Sequence, residues 1–84
     1  MYYLLFTTNT CFRCPEFKKN VLKNVNFEGH FLDETKNDFL YKAQQFSIMS
    51  VPSIVVFKDS SQKEEIFRTS EEYNLINWLK ENKL

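Results

Sequence analysis

The segment MYYLLFTTNTCFRC, from Met1 to Cys14, is the most informative part of the sequence, because it runs from an apolar segment into a closely spaced pair of cysteines. Its first part, Met1 to Phe6, is a continuous run of apolar and aromatic residues, which is typical of a strand buried on both faces. The cluster TTNT at residues 7–10 is rich in residues that form turns and cap helices. We therefore expect a strand, a turn and the start of a helix, with the cysteines at the junction.

The residues after the pair predict a helix, a second strand and another helix. A weaker strand is expected from Asn26 to Asp33, where Gly29 lowers the strand propensity. Helical character resumes near Glu34, with Asp33 as the expected N-cap and Leu40 beside the apolar face. The expected apolar faces of the two helices consist of Cys14, Phe17, Val21, Leu22 and Val25 in the first and of Phe39, Ala43 and Phe46 in the second.

The second half of the chain predicts a strand hairpin. Val51-Pro52 ends the helical pattern, because the residue before a proline favours an extended backbone. Ser53 to Lys58 is the clearest strand of the sequence, since its central residues are β-branched and apolar. Glu65 to Arg68 is its expected partner across a polar turn.

A last helix completes one α/β domain over residues 1–84. Thr69 and Ser70 are expected to cap this helix, with Glu72 at capping-box spacing. Its apolar side carries Leu75, Ile76 and Leu79. The order β-α-β-α-β-β-α predicts a parallel strand pair joined by a crossover helix, then a hairpin, in a four-stranded mixed sheet flanked by helices.

Charge and cysteine content argue against several classes of protein. Eleven basic residues balance eleven acidic ones, so no net charge attracts the chain to nucleic acid or to an anionic membrane. The apolar run at residues 2–6 is too short for a signal peptide, and no stretch is long enough to span a bilayer. Two cysteines are too few for a disulfide-stapled secreted fold. We expect a cytoplasmic monomer that binds neither nucleic acid nor membrane.

The spacing of Cys11 and Cys14 points to redox chemistry. One helical turn brings the two sulfurs together, so that they can form a disulfide. Cys11 is expected at the helix N-terminus, where unpaired N–H groups and the helix dipole lower the pKa of a thiol, and Arg13 can add to this effect. Cys14 lies on the apolar face and should be more buried. We therefore expect the Cys11 thiolate to attack a substrate disulfide and Cys14 to resolve the mixed disulfide.

Other interpretations of the pair remain open. Half of a zinc site is one, although zinc needs four ligands, the chain has no second CxxC, and its lone histidine, His30, lies in a predicted strand. Two buried cysteines without chemistry are another. A non-enzymatic binding module or a metal carrier that uses Cys11 and Cys14 as ligands is the alternative of a different class.

The segment Ile48-Met49-Ser50-Val51-Pro52 before a hydrophobic strand, together with the CxxC and the final hairpin and helix, resembles the thioredoxin/glutaredoxin superfamily. The resemblance covers nearly the whole chain and implies a thioredoxin-like fold. It also implies a cis Pro52 opposite the disulfide and a Val51 backbone that pairs with bound substrate. Phe12 and Arg13 then become candidate substrate contacts, since exposed aromatic residues in clefts often touch partners.

The chain shares features with more than one branch of the superfamily. The short N-terminus resembles glutaredoxins and the small glutaredoxin-like thioredoxins that serve ribonucleotide reductase. Phe12-Arg13 matches neither the Gly-Pro of typical thioredoxins nor the Pro-Tyr of typical glutaredoxins, and the first strand carries no buried carboxylate. The glycine pair used for glutathione binding is missing, while Ser70 and Glu71 either match the polar-acidic pair that follows it or simply cap the helix.

These features predict a thiol–disulfide oxidoreductase that acts on disulfide-containing proteins. No bound cofactor is expected beyond the redox-active disulfide of Cys11 and Cys14. By the resemblance, that disulfide is recharged either by a flavoprotein similar to thioredoxin reductase or by glutathione, the second of which would make the chain a dithiol glutaredoxin.

Overall fold

Strands and helices follow one another in the predicted order β-α-β-α-β-β-α. The structure, a computed structural model, describes residues 1–84. Its elements are β1 (Tyr2–Phe6), α1 (Cys14–Asn24), β2 (Gly29–Leu32), α2 (Phe39–Gln45), β3 (Ser53–Phe57), β4 (Glu65–Thr69) and α3 (Glu72–Glu81).

The four strands form one mixed sheet in the order β2-β1-β3-β4. β1 is parallel to β2 and antiparallel to β3, and β3 is antiparallel to β4. A parallel neighbour requires a crossover connection, which α1 provides between β1 and β2. The prediction of a four-stranded mixed sheet with a parallel start and a terminal hairpin is therefore confirmed.

The core has two parts, one on each face of the sheet. Successive side chains of a strand point to opposite faces, so Tyr3 and Leu5 of β1 pack on one side and Leu4 and Phe6 on the other. The first part also takes in Phe17, Val21, Ile54, Val56, Leu75 and Leu79, which come from α1, β3 and α3. The second part is covered by Phe39, Ala43 and Phe46 of α2 and its C-terminal end. Helices thus cover both faces, which explains why β1 and β3 are continuous apolar runs.

Several predicted details of the helices are wrong. Leu22, which was expected on the apolar face of α1, is 63% exposed, whereas the exposure of Leu40 agrees with its expected place beside the apolar face of α2. Asp33 does not cap α2, which begins at Phe39 with Asp38 as its N-cap. The Asp33 carboxylate instead accepts hydrogen bonds from the backbone N–H and the hydroxyl of Thr35, which closes a local turn.

The predicted capping box of α3 is also wrong. Glu71 is the N-cap residue, and no side chain caps the helix. The Thr69 hydroxyl accepts a hydrogen bond of 3.0 Å from the backbone N–H of Glu71 ahead of the helix. The Glu72 carboxylate accepts from the side-chain amide of Asn20, and so joins α3 to α1.

Candidate active site

A disulfide joins Cys11 to Cys14 at the junction between β1 and α1, with a distance of 5.4 Å between their Cα atoms. Cys14 is the first residue of α1 and is only 4% exposed. Cys11 lies in the loop after β1 and is partly exposed. The two cysteines are therefore unequal in accessibility, in the direction that the sequence predicted.

The start of α1 differs from the prediction in one respect. Arg13 is the N-cap residue, so Cys11 lies two residues before the N-cap and is joined to the first turn of the helix by its bond to Cys14. Pro15 lies in that first turn, where proline is common because its missing N–H would have no partner in the helix. Sequence reasoning overlooked Pro15, although a proline at this position is a standard signal for a helix start.

The sheet register brings two further segments to the same end of the molecule. Phe6 pairs with Ser53, so the residues just before β3 lie beside the loop that leaves β1. Ile54 pairs with Thr69, which places the segment between β4 and α3 next to the start of β3. The cysteine loop, the residues before β3 and the loop before α3 therefore meet at one sheet edge.

The peptide bond between Val51 and Pro52 is cis, as the resemblance implied. Pro52 is buried and Val51 partly exposed. The backbone N–H and C=O of Val51 make no hydrogen bond with other backbone groups. A donor and an acceptor beside the cysteine loop are thus free to pair with an extended segment.

The two residues between the cysteines face different surroundings. Phe12 is fully exposed, at 100% of its surface, so a partner could reach its ring. Arg13 reaches across to the loop before α3, where its Nη2 donates to the carbonyl oxygen of Ser70 at 2.6 Å. The same nitrogen lies 3.5 Å from the carboxylate of Glu71. Arg13 is therefore engaged within the chain, although its side chain is half exposed.

Three serines hold the segment around the cis-proline, and sequence reasoning did not single out Ser50 and Ser53. The Ser53 hydroxyl donates to the carbonyl oxygen of Ser50 at 2.7 Å and lies 2.9 Å from the Ser70 hydroxyl. Because Ser70 also accepts from Arg13, one chain of hydrogen bonds connects all three segments of the site. Serine occurs widely in turns, so no local pattern announces this contact.

A shallow cavity of about 260 Å³ opens beside the disulfide. Lys18 and Asp33 contribute opposite charges to its wall, and the hydrogen bonds from Thr35 hold the pKa of Asp33 below its usual value. The loop leading to Cys11 is held from outside, where the Asn9 N–H donates to the Glu34 carboxylate at 3.0 Å. The wall of the cavity consists of Thr7, Thr8, Asn9, Cys11, Cys14, Pro15, Lys18 and Asp33.

The structure shows neither a metal-binding cluster nor a membrane-spanning helix. No group of three or more histidine, cysteine, aspartate or glutamate side chains is placed to hold a metal ion. His30 is exposed on β2. None of the three helices combines the length and the apolar character that a bilayer crossing requires.

Comparison with solved structures finds proteins of the same fold. Thioredoxin 1 from the thermophilic eubacterium Thermosipho africanus TCF52B superposes with a TM-score of 0.71 at 18% identity, over 99% of this chain and 94% of that one. A malarial protein gives 0.68 at 22% identity, over 99% and 97% of the two chains. A thioredoxin from Thermus thermophilus gives 0.70 at 15% identity, over 99% of this chain and 73% of that one. No protein-family model matches the sequence, and neither does any curated protein.

The chain therefore has a thioredoxin-like fold, and the fold expected from the resemblance is confirmed. At these identities, structural likeness shows the fold. The Cys11 and Cys14 sulfurs are close enough to form a disulfide, so this pair can give up and take up two electrons by thiol–disulfide exchange.

Proposed function

We propose that the protein reduces disulfides in other proteins, with Cys11 as the attacking thiolate and Cys14 as the resolving thiol. The observation that carries the proposal is the unequal access to the two cysteines, since Cys11 is partly exposed and Cys14 is buried at 4%. The attacking sulfur of an exchange reaction must be reachable by the substrate, whereas the resolving sulfur needs only to reach its neighbour.

The reaction has two exchange steps. The Cys11 thiolate attacks one sulfur of the substrate disulfide, which forms a mixed disulfide and releases a substrate thiolate that takes a proton from water. Cys14 then loses its proton, and its thiolate attacks the Cys11 sulfur. This second step forms the Cys11–Cys14 disulfide and releases the other substrate sulfur, so that the substrate gains two electrons and the protein dithiol loses them.

Binding of an extended substrate segment is supported by the surroundings of the disulfide. The backbone of Val51 has a free donor and a free acceptor, as a short β-like contact with a peptide would need. Phe12 offers a fully exposed aromatic side chain next to Cys11. Pro52 presents no N–H that could compete in this contact.

Trapping of the intermediate tests the roles of the two cysteines. Cys14→Ser should accumulate a mixed disulfide with a protein substrate such as insulin, detectable on a non-reducing gel and reversed by dithiothreitol. Cys11→Ser is the matched control and should accumulate none, because its remaining sulfur is buried. Equal trapping by both variants would refute the assignment of roles.

We further propose a flavoprotein reductase, rather than glutathione, as the source of electrons. Ser70 and Glu71, the residues that could have matched a glutathione-binding pair, are already engaged with Arg13. We also propose that the protein works in the reducing cytoplasm, as an electron donor to enzymes such as ribonucleotide reductase.

Coupled assays with each electron source test this choice. Turnover with NADPH and thioredoxin reductase is expected, with a much slower rate when glutathione and glutathione reductase replace them. The opposite ranking would make the protein a dithiol glutaredoxin.

A further inference from the structure

Arg13 ties the cysteine motif to the loop before α3 in the disulfide form. Its guanidinium donates to the Ser70 carbonyl oxygen at 2.6 Å and lies 3.5 Å from the Glu71 carboxylate. Ser70 is itself held by the largely buried Ser53, at 2.9 Å between the two hydroxyl oxygens. Exposed ion pairs alone are weak, but this one has a second contact on an anchored residue, so the guanidinium has a defined position.

Reduction of the disulfide changes the charges around that guanidinium. A thiolate at Cys11 adds a negative charge two residues from Arg13, so the field of the guanidinium acts on this thiolate as well as on the Glu71 carboxylate that it contacts. When the Arg13 guanidinium pairs with the Glu71 carboxylate, it stabilises the Cys11 thiolate less. Other charged groups also lie around the cysteine loop. They are Lys18 and Asp33 in the cavity wall, Glu16 in the first turn of α1, and Glu34, which accepts from the Asn9 N–H.

We propose that Glu71 is a positioning residue that withholds the Arg13 charge from the Cys11 thiolate and so makes the Cys11–Cys14 couple more reducing. This inference rests on the proposed function, which requires that couple to exchange with other disulfides. A thiolate stabilised by positive charge favours the reduced protein, and a couple whose reduced form is favoured is a better oxidant. By pairing with Arg13, Glu71 weakens the stabilisation of the Cys11 thiolate and so favours the disulfide form.

The equilibrium with dithiothreitol measures the couple directly. Each protein disulfide that is reduced takes up two electrons, and one dithiothreitol is oxidised to its cyclic disulfide. Glu71→Gln should shift the equilibrium constant toward reduced protein by at least threefold, which is about 14 mV at 29.6 mV per tenfold change. The midpoint pH for alkylation of Cys11 by iodoacetamide should fall in the same variant.

A double-mutant cycle tests whether Glu71 affects the Cys11 thiolate through Arg13 or by its own electrostatic field. Arg13→Gln alone should shift both measurements in the opposite direction, because the positive charge is gone. In the Arg13→Gln background, Glu71→Gln should have less than half of its effect in the wild-type protein. An equal effect in both backgrounds would mean that the carboxylate acts on the thiolate directly, and would overturn the inference.

Two further variants test whether the effect requires the contact between Glu71 and Arg13 or only a negative charge in this region. Glu71→Asp keeps the charge but shortens the side chain, and should shift the equilibrium in the same direction as Glu71→Gln. Glu72→Gln removes the neighbouring charge, which contacts Asn20 and not Arg13, and should shift it less than threefold. A shift as large for Glu72→Gln as for Glu71→Gln would contradict the inference.

The dithiothreitol equilibrium of the wild-type protein distinguishes failure of the proposed function from failure of the inference about Glu71. If it does not exchange with dithiothreitol at all, the proposed function fails. If it exchanges but Glu71→Gln leaves the equilibrium constant unchanged, only the inference about Glu71 fails. Glu71 makes no side-chain cap for α3, so its replacement should leave the fold intact, which urea unfolding can verify.

Discussion

Gly29 lies directly opposite Tyr3 in the parallel pair of β1 and β2. A Cβ atom at Gly29 would overlap the Tyr3 ring, so the glycine is needed for close approach and not for an unusual backbone angle. The ring contacts Phe27 and Phe31 as well, at 6.1 Å between centroids in each case. Burial, and secondarily the charge of Tyr2, raises the pKa of Tyr3 above its usual value.

Gly29→Ala is expected to lower the free energy of unfolding by about 1–3 kcal/mol, because the added methyl group forces the Tyr3 ring to move within a packed core. Urea unfolding followed by circular dichroism measures the change. In a Tyr3→Leu background the ring is absent, so the same substitution should cost less than half as much. An equal cost in both backgrounds would show that the ring is not the cause.

The carboxylate of Glu65 accepts two hydrogen bonds from Arg68, from Nε and Nη2, each at 2.7 Å. The hydrogen bond to Arg68 holds the pKa of Glu65 below its ordinary value of 4.5. A carboxyl group with a lower pKa in the folded state stabilises the protein above its unfolded pKa, and this contribution is lost as the pH falls through the folded-state pKa. Because both side chains are partly exposed, solvent screening keeps the contribution small.

Glu65→Gln should therefore destabilise the protein at neutral pH by about 0.3–1 kcal/mol and leave it nearly unchanged at low pH. The measurement is the difference in unfolding free energy between variant and wild type, taken from neutral pH down to about pH 3. Comparison of the two proteins cancels the acid titration of Asp33 and Asp59, whose pKa values are also lowered by local hydrogen bonds. A difference that does not vary with pH would exclude the Glu65 carboxylate as its source.

At the scale of elements, α1 and α3 share one face of the sheet and contact each other. Leu75 of α3 is fully buried between the helices and the sheet, whereas Leu22 of α1 points to solvent. The two leucines carry the same side chain on similar helices, so their environments alone distinguish them.

Leu75→Ala should lower the free energy of unfolding by about 2–5 kcal/mol, because it removes buried apolar surface and leaves a cavity. Leu22→Ala is the matched control and should change it by less than about 0.5 kcal/mol. Urea unfolding of both variants gives the comparison. Similar losses at the two positions would mean that Leu22 is covered in solution.

At the scale of the molecule, the disulfide lies at the edge of a core that is built from both faces of the sheet. It closes a loop of only four residues, from Cys11 to Cys14, so the chain entropy that it removes from the unfolded state is small. The fold therefore rests on the sheet and its helices.

The reduced protein should stay folded, with an unfolding free energy within about 2 kcal/mol of that of the oxidised protein. Urea unfolding with and without dithiothreitol tests this expectation. A variant with both Cys11→Ser and Cys14→Ser should not respond to the reductant. Unfolding of the wild type upon reduction would instead show that the disulfide is structural.

The order of the elements and the position of the cysteine pair follow from the amino-acid sequence alone. The apolar runs in β1 and β3 and the spacing of Phe17 and Val21 are local patterns that suffice for this purpose, because strand and helix periods differ. Cys14 on an apolar helical face was sufficient to predict its burial relative to Cys11.

How the helices begin and how the site is completed depend instead on tertiary contacts. Asp33 resembles a helix cap in sequence, but a turn with Thr35 satisfies its carboxylate before α2 begins. Arg13 meets Ser70 across 57 positions of sequence, because the register of the sheet brings the ends of distant segments together. Contacts of this kind depend on strand pairing, and the residues nearby in sequence carry no information about them.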